Sequence, residues 1–455
     1  MEEMNQNDRE MDHEMILGLL NRGDVEGFRE EFLTHHPYDQ ATFYEKADQD
    51  IRHLMYQYLS PKEMADIFEA IEIDDDEYED LFKEMNANYA SDLLSHMYTD
   101  DAVDILNLLN KEQVATYLTI MEKESARQIK DLLHYEEYTA GSIMTTEFVS
   151  IPKNSTVRSA MNILRNAAPN AETIYYVFVV DEDKRLSGIV TLRDLIVSDE
   201  DTLIGSIMNE RVVSVSVSED QEEVARMIKD YDFLAMPVVD FQQHLLGIIT
   251  VDDIIDVLDE EASDDYSKLA AVSDMDTFDK GPFTAAKKRL PWLILLTFLG
   301  MLTANLMGMF EATLDKVALL AVFIPLIAGM AGNSGTQALA VAVRGIATGD
   351  IEEESKMRLL FREAGTGLIT GIVCGAVVVG LVYFWKGELL IGALVGAAVF
   401  GSIFVATLAG SFIPLLIHRL KIDPAVASGP FITTLNDIIS ILIYLGLATT
   451  FLGQL

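Results

Sequence analysis

Apolar positions along the chain change their period twice. From Met15 to about Tyr138 they recur at helical spacing, as in Met64, Ile67, Phe68 and Ile71 at i, i+3, i+4 and i+7, and again in Val114, Leu118 and Met121. Short polar joints such as Tyr98-Thr-Asp-Asp101 and Asn110-Lys-Glu112 separate these stretches. The pattern predicts stacked helical hairpins, an all-α superhelical domain over residues 1–138, with the Met and Leu stripes as its core.

Residues 139–262 read as two copies of one α/β unit, about 139–202 and 203–262, matched at a fixed offset of 59. Val180-Asp181 recurs as Val239-Asp240, and Gly188-Ile-Val-Thr-Leu-Arg-Asp-Leu195 as Gly247-Ile-Ile-Thr-Val-Asp-Asp-Ile254, while Ile143-Met144 and Ile207-Met208 open the copies. Each copy predicts an amphipathic helix, an apolar strand (Tyr176 to Val180; Ala235 to Val239), a turn, a second strand, and a helix begun at Thr191 or Thr250.

Beyond a connecting stretch at 263–286, with a Gly281-Pro282 break, the period is lost in five apolar runs of bilayer length: about 290–310, 317–346, 363–385, 389–417 and 424–452. They predict a helical membrane domain over 287–455. Lys287, Lys288, Arg289, Arg344, Lys356, Arg358, Arg362, Arg419 and Lys421 flank alternate loops on one side, against Lys316 and Lys386 on the other. The positive-inside rule then puts the N-terminal part in the cytoplasm and, with five spans, the C-terminus outside. The acidic start, Met1-Glu-Glu-Met-Asn-Gln-Asn-Asp, has no apolar core and predicts no signal peptide.

Charge sharpens this division. Residues 1–280 hold 22 basic and 63 acidic residues, a net of −41, whereas the remainder is near neutral. So acidic a surface argues against nucleic acid and makes cations the natural counter-charge. The single Cys374 excludes a disulfide framework within the chain, and no Walker loop, catalytic triad or hydrolase metal site is present, so an enzyme is not expected. Most acidic clusters read as solvated faces. The run Asp259, Glu260, Glu261, Asp264 and Asp265 differs because it sits on the connection to the membrane part, where a bound ion can act on a pore.

Asp437 is the only carboxylate well inside an apolar run, and at that depth it costs several kcal/mol unless water, a partner or a cation compensates it. Helical spacing puts Pro430, Thr433, Thr434 and Asp437 on one face of the fifth span, and Asn333 with Gln337 on one face of the second. Pro325 and Pro430, if inside helices, free the carbonyls of Ala321 and Val426, and Gly329, Gly332 and Gly335 admit close helix approach. These groups either line one wet pathway or merely join helices. No basic residue lies at the depth of Asp437 to pair with it, which favours the pathway.

The repeated Gly-x-x-Thr-x-x-Asp resembles a tandem cystathionine-β-synthase (CBS) domain pair. Such pairs often bind adenine nucleotides, ATP among them, which by resemblance makes Arg193, Asp194 and Asp253 candidates; the alternative is that Thr191 and Thr250 cap helices and the two Asp residues serve first-turn amides. The whole order of parts, with Gly332-Asn-Ser-Gly-Thr-Gln337 and Arg344-Gly345 in the second span and Asp423-Pro through Asn436-Asp437 leading into the fifth, resembles the MgtE family of magnesium channels from about residue 20 onward. The resemblance implies a homodimer whose second and fifth spans line a pore, with Asp437 from both chains recognising hydrated Mg²⁺, Asp423 near a gate, and sensor carboxylates in the CBS pair and on the connector. High cytoplasmic Mg²⁺ would shut such a pore. A coupled cation carrier and a membrane-anchored CBS sensor without transport remain open alternatives.

Overall fold

The computed structural model describes residues 11–71, 75–272, 281–349, 351, 355–424 and 427–451. They form two compact units, one ending at Leu258 and the other beginning at Asp259.

The first unit begins with ten short helices between His13 and Leu132. Their starts are locally encoded. Asp12, Asp24, Asp48 and Asn110 each accept a first-turn amide, and Ser60 with Glu63 forms a reciprocal capping box ahead of Pro61. Met64, Ile67 and Phe68 are buried, as their spacing requires, and Phe68 meets Phe82 edge-on at 5.8 Å.

Two three-stranded sheets follow. In the first, β1 (Ser150–Pro152) runs parallel to β2 (Tyr176–Val180), which pairs antiparallel with β3 (Leu186–Thr191). In the second, β4 (Val215–Ser216), β5 (Ala235–Val239) and β6 (Leu245–Thr250) repeat the arrangement. The 59-residue offset survives in the register: Val179 faces Gly188 and Val238 faces Gly247, each beside a bulge.

The copies are exchanged at their openings. Thr145, just after Met144, bridges to Ile248 of the second sheet, and Asn209, just after Met208, bridges to Ile189 of the first. A Cβ on Gly247 would lie 2.9 Å from Met144 Sδ, and one on Gly188 2.6 Å from Met208 Sδ. The Ile-Met pair that opens each copy in sequence therefore packs on the sheet of the other. The helix entered at Val251 then runs unbroken to Ala270.

The second unit carries five helices long and apolar enough to cross a membrane. We number the spans one (Pro282–Gly308), two (Ile324–Ala347), three (Lys356–Lys386), four (Leu389–Arg419) and five (Gly429–Thr450). Glycines set the closest approaches. A Cβ at Gly375 would lie 2.8 Å from the Gly396 carbonyl oxygen of span four, and one at Gly410 would overlap the Gly335 carbonyl of span two. Tyr444 of span five donates to the Leu320 carbonyl at 2.9 Å, which anchors the short 3-10 turn before span two.

The two prolines singled out from sequence do not break helices. Pro325 and Pro430 occupy the first turns of spans two and five, where the missing amide is unneeded. The Ala321 carbonyl accepts from Ile324 N–H rather than standing free, and Val426 lies outside the described residues. The prolines inside spans are Pro291 and Pro414.

Candidate functional site

Four groups of polar residues stand out, two in each unit. Within the membrane unit, spans two and five touch through Gly332, where a Cβ would lie 3.0 Å from Thr433 Cγ2, and through Thr336, whose Oγ1 is 3.3 Å from Thr433 Oγ1. Gly335 faces Asn436, and a Cβ there would overlap the Asn436 amide. Gly329 has open space beside it and plays no part in this approach. Thr434 returns its hydroxyl to the Pro430 carbonyl at 2.9 Å.

Next to this seam, Asn333 and Gln337 are exposed along span two, while Thr433, Thr434 and Asp437 are half-buried along span five. No ion pair reaches Asp437 among the described residues. Asn436, in contrast, is fully buried with neither amide atom hydrogen-bonded. It fills the space that Gly335 leaves.

The connector group gathers at the end of the helix Val251–Ala270. Lys268 is bonded to both Asp264, one turn earlier, and Asp423, ahead of span five, the latter at 2.5 Å. Asp265 is half-buried beside them; burial first, then the nearby Asp423 charge, pushes its carboxyl up to about 6. Glu261 lies close enough to add to that effect, whereas Asp259 and Glu260 are exposed one turn further back. Lys268 escaped sequence reading because its partner Asp423 is 155 positions away.

In the first unit, the start of the same helix meets a second acidic group. Glu172, Asp252 and Asp253 present carboxylate oxygens within 4.8 Å of one another. Asp100 is 6% exposed, and its Oδ1 has no hydrogen-bond partner. Burial is the leading cause of a raised pKa at Asp100, Asp101, Glu172 and Asp253. The Asp101 carboxyl is pushed to about 8, with Glu69 and Asp253 adding to the effect; Glu172 is pushed to about 7 and Asp253 to about 6. Asp100 is raised as well, with Asp101 and Asp253 adding to the burial. The helical domain supplies Asp100 and Asp101 and the paired α/β units supply the rest; Thr99 ties the two by donating to Glu147 at 2.6 Å. Of these acids only Asp253 was singled out from sequence. Chain separation hides the others.

The fourth group is a cavity of about 520 Å³ bordered by Tyr175, Tyr176, Thr191, Arg193, Ile196 and Leu234. Arg193 faces it. Asp194 instead closes a capping box, accepting from Thr191 N–H at 3.1 Å and Thr191 Oγ1 at 2.6 Å. Asp253 accepts in the same way from Thr250, its Oγ1 at 2.5 Å.

Comparison with known proteins gives this arrangement a family. Residues 324–447 match the model of a divalent cation transporter, residues 35–138 that of the MgtE intracellular N domain, and residues 140–200 and 204–260 that of the CBS domain. The chain is 56% identical over 438 residues to the magnesium transporter MgtE of Enterococcus faecalis, covering 96% of each. It is 39% identical over 440 residues to the Bacillus subtilis protein of the same name, covering 97% of each. Among solved structures, the soluble part of a magnesium transporter aligns with TM-score 0.54 at 57% identity, over 55% of this chain and 98% of that one. The cytosolic domain of the Mg²⁺ channel MgtE, solved in complex with ATP, aligns with TM-score 0.51 at 35% identity, over 54% and 99%. With its intracellular helical domain, its CBS pair and its five apolar helices, the chain belongs to the MgtE family of magnesium transporters, which are not enzymes.

Proposed function

We propose that the protein is a Mg²⁺ channel, formed by two copies whose second and fifth spans line the pore, and that cytoplasmic Mg²⁺ shuts it. The observation that carries this reading is the polar face of spans two and five. Asn333 and Gln337 are exposed on a single chain, and Asp437, half-buried on span five, has no ion pair among the described residues. Such groups are too costly to face lipid, so a second copy and water must cover them. Two Asp437 carboxylates, with Thr433, Thr434, Asn333 and Gln337 around them, suit an ion that keeps its waters, since Mg²⁺ dehydrates reluctantly and is read through its hydration shell.

The gate follows from charge. Asp100, Asp101, Glu172, Asp252 and Asp253 form a site for a divalent cation, because the group crowds carboxylates, most of them buried or half-buried, with no basic residue among the described residues to balance them. At an effective dielectric of 20, two unit charges about 4 Å apart cost about 4 kcal/mol, so one bridging cation offsets a repulsion large enough to drive a conformational change. From Asp253 to Asp265 one helix rises about 18 Å. Closure around a cation at its first turn therefore moves Asp264, Asp265 and Lys268 at its end, and with them Asp423. The acidic connector residues Asp259, Glu260 and Glu261 follow on the same helix and serve as secondary ligands in this reading.

The cavity at Arg193 suits an adenine nucleotide such as ATP, with Tyr175 and Tyr176 as stacking surfaces and Arg193 for phosphate. In this reading, five crossings after an intracellular N-terminal part leave the C-terminus outside the cell membrane. The test is Mg²⁺ uptake into proteoliposomes by wild type and Asp437→Ala, at low and high Mg²⁺ on the cytoplasmic face. Uptake is expected to vanish in the variant and to be suppressed by high Mg²⁺ in the wild type. Equal uptake by the two proteins would remove Asp437 from the pathway, and a current that fails to reverse at the Mg²⁺ equilibrium potential would indicate a coupled carrier.

A further inference from the structure

A basic cavity of about 380 Å³ lies where span two ends and span three begins. Arg344, Arg358 and Arg362 border it with Ser355, and Ile351 and Leu359 supply its apolar side. Arg358 and Arg362 are one helical turn apart and so share a face. Ser355 is the N-cap of span three and makes no side-chain capping bond, so the positive end of a 31-residue helix opens on the same space.

The guanidiniums are not equivalent. Arg362 is held by Glu363, which is 8% exposed, through Nη2 at 3.0 Å and Nε at 3.1 Å. Arg344 and Arg358 have no carboxylate partner among the described residues. Among the described residues, three cations and one paired anion leave an excess of two positive charges around the cavity. The surroundings indicate where its counter-ion comes from. Met357 is 59% and Phe361 73% exposed on the same two turns, as side chains facing acyl chains are. With an intracellular N-terminal domain, the end of span two lies at the cytoplasmic leaflet, where anionic headgroups reside.

We propose that this cavity binds the phosphate of an anionic membrane lipid, with Arg344 and Arg358 on the phosphate oxygens, Ser355 and the helix end as further donors, and Met357 and Phe361 against the acyl chains. Its charge excess and lipid-facing edge favour a headgroup over a free anion. Asp350, Glu352, Glu353 and Glu354 lie close by in sequence and outside the described residues. Should they neutralise the cavity, the wild type would retain no lipid in the experiment below.

The full chain is placed in nanodiscs of equal parts phosphatidylglycerol and phosphatidylcholine, extracted, and weighed by native mass spectrometry to count retained lipids. The wild type is expected to retain phosphatidylglycerol in preference, and the double variant Arg344→Gln/Arg358→Gln to retain it about tenfold less. Arg344→Lys/Arg358→Lys keeps the charge and should lose no more than about threefold. Equal retention by the wild type and the Gln variant, or no preference for phosphatidylglycerol in the wild type, overturns the proposal. So does displacement of the retained lipid by millimolar inorganic phosphate, which would mark a free-anion site. If the Gln variant does not fold, the preference of the wild type and the response of the Lys variant still decide the matter.

Discussion

The two acidic groups on the helix Val251–Ala270 differ in one residue type. At its start, Asp100, Asp101, Glu172, Asp252 and Asp253 are gathered with no lysine or arginine among them in the described residues, and burial and mutual repulsion raise the pKa values of Asp100, Asp101, Glu172 and Asp253. Near its end, Asp264 and Asp423 share Lys268. Among the described residues the first group lacks a counter-charge, which on the proposed reading a bound cation supplies in place of protons. The second carries its own, and a divalent ion arriving there must compete with a tethered ammonium. On the proposed reading, one helix joins a site that takes Mg²⁺ to one that carries its own cation, and the contrast assigns sensing chiefly to the first.

The strongest way to break this contrast is to neutralise the first group. Asp101→Asn with Asp253→Asn should raise the Mg²⁺ concentration that suppresses uptake by about tenfold or more, since a two-carboxylate loss removes charge that a cation needs. The same variant should be more stable than the wild type in EDTA, by on the order of 2 kcal/mol, because the repulsion is gone. Denaturant unfolding with and without Mg²⁺ reads both signs. A variant that is less stable in EDTA, or one that shuts at the wild-type Mg²⁺ concentration, would refute the assignment.

A smaller effect comes from pH. Unfolded carboxyls titrate near about 4, whereas Asp101 does so at about 8, Glu172 at about 7 and Asp253 at about 6 in the folded protein. Between these limits the folded state binds more protons at these groups, so the stability they contribute without Mg²⁺ is fully present below about pH 4 and is lost as pH rises towards 8. Saturating Mg²⁺ should flatten that slope, since the ion replaces the protons. A Tm measured from pH 5.5 to 8.5 in EDTA and in Mg²⁺ separates the two curves, and parallel curves would mean that the group takes no ion.

Much of the scaffold behind this contrast is legible in the sequence, and the reason is locality. Helical periodicity, caps and span length each depend on residues within a few turns, so Met64, Ile67 and Phe68 and the caps at Thr191 and Thr250 could be read directly. The 59-residue repeat was equally plain. Its exchange in space was not, because Met144 lies on the sheet of Gly247, about a hundred positions on, and nothing in a repeat says which copy an opening segment joins. The same limit hid the first acidic group, assembled from Asp100, Glu172 and Asp252 across 150 positions. Pro325 and Pro430 were misplaced for a different reason: apolar continuity on both sides conceals that the helices begin at Ile324 and Gly429.

The smallest expected effect tests the other half of the contrast. In Lys268→Met the connector keeps its helix, since methionine is a good helix former of similar length, but Asp264, Asp265 and Asp423 lose their common cation. Lys268 is about one-third exposed, so the loss should cost only about 1 kcal/mol in the absence of Mg²⁺. The informative change is in ion dependence. With the lysine gone, this end of the helix also needs a divalent ion, and Mg²⁺ should stabilise the variant more than it does the wild type, by a shift opposite in sign to that of the Asp101→Asn/Asp253→Asn protein. If Mg²⁺ stabilises both proteins equally, Lys268 is not standing in for a cation, and the two acidic groups would have to be treated as one continuous sensor.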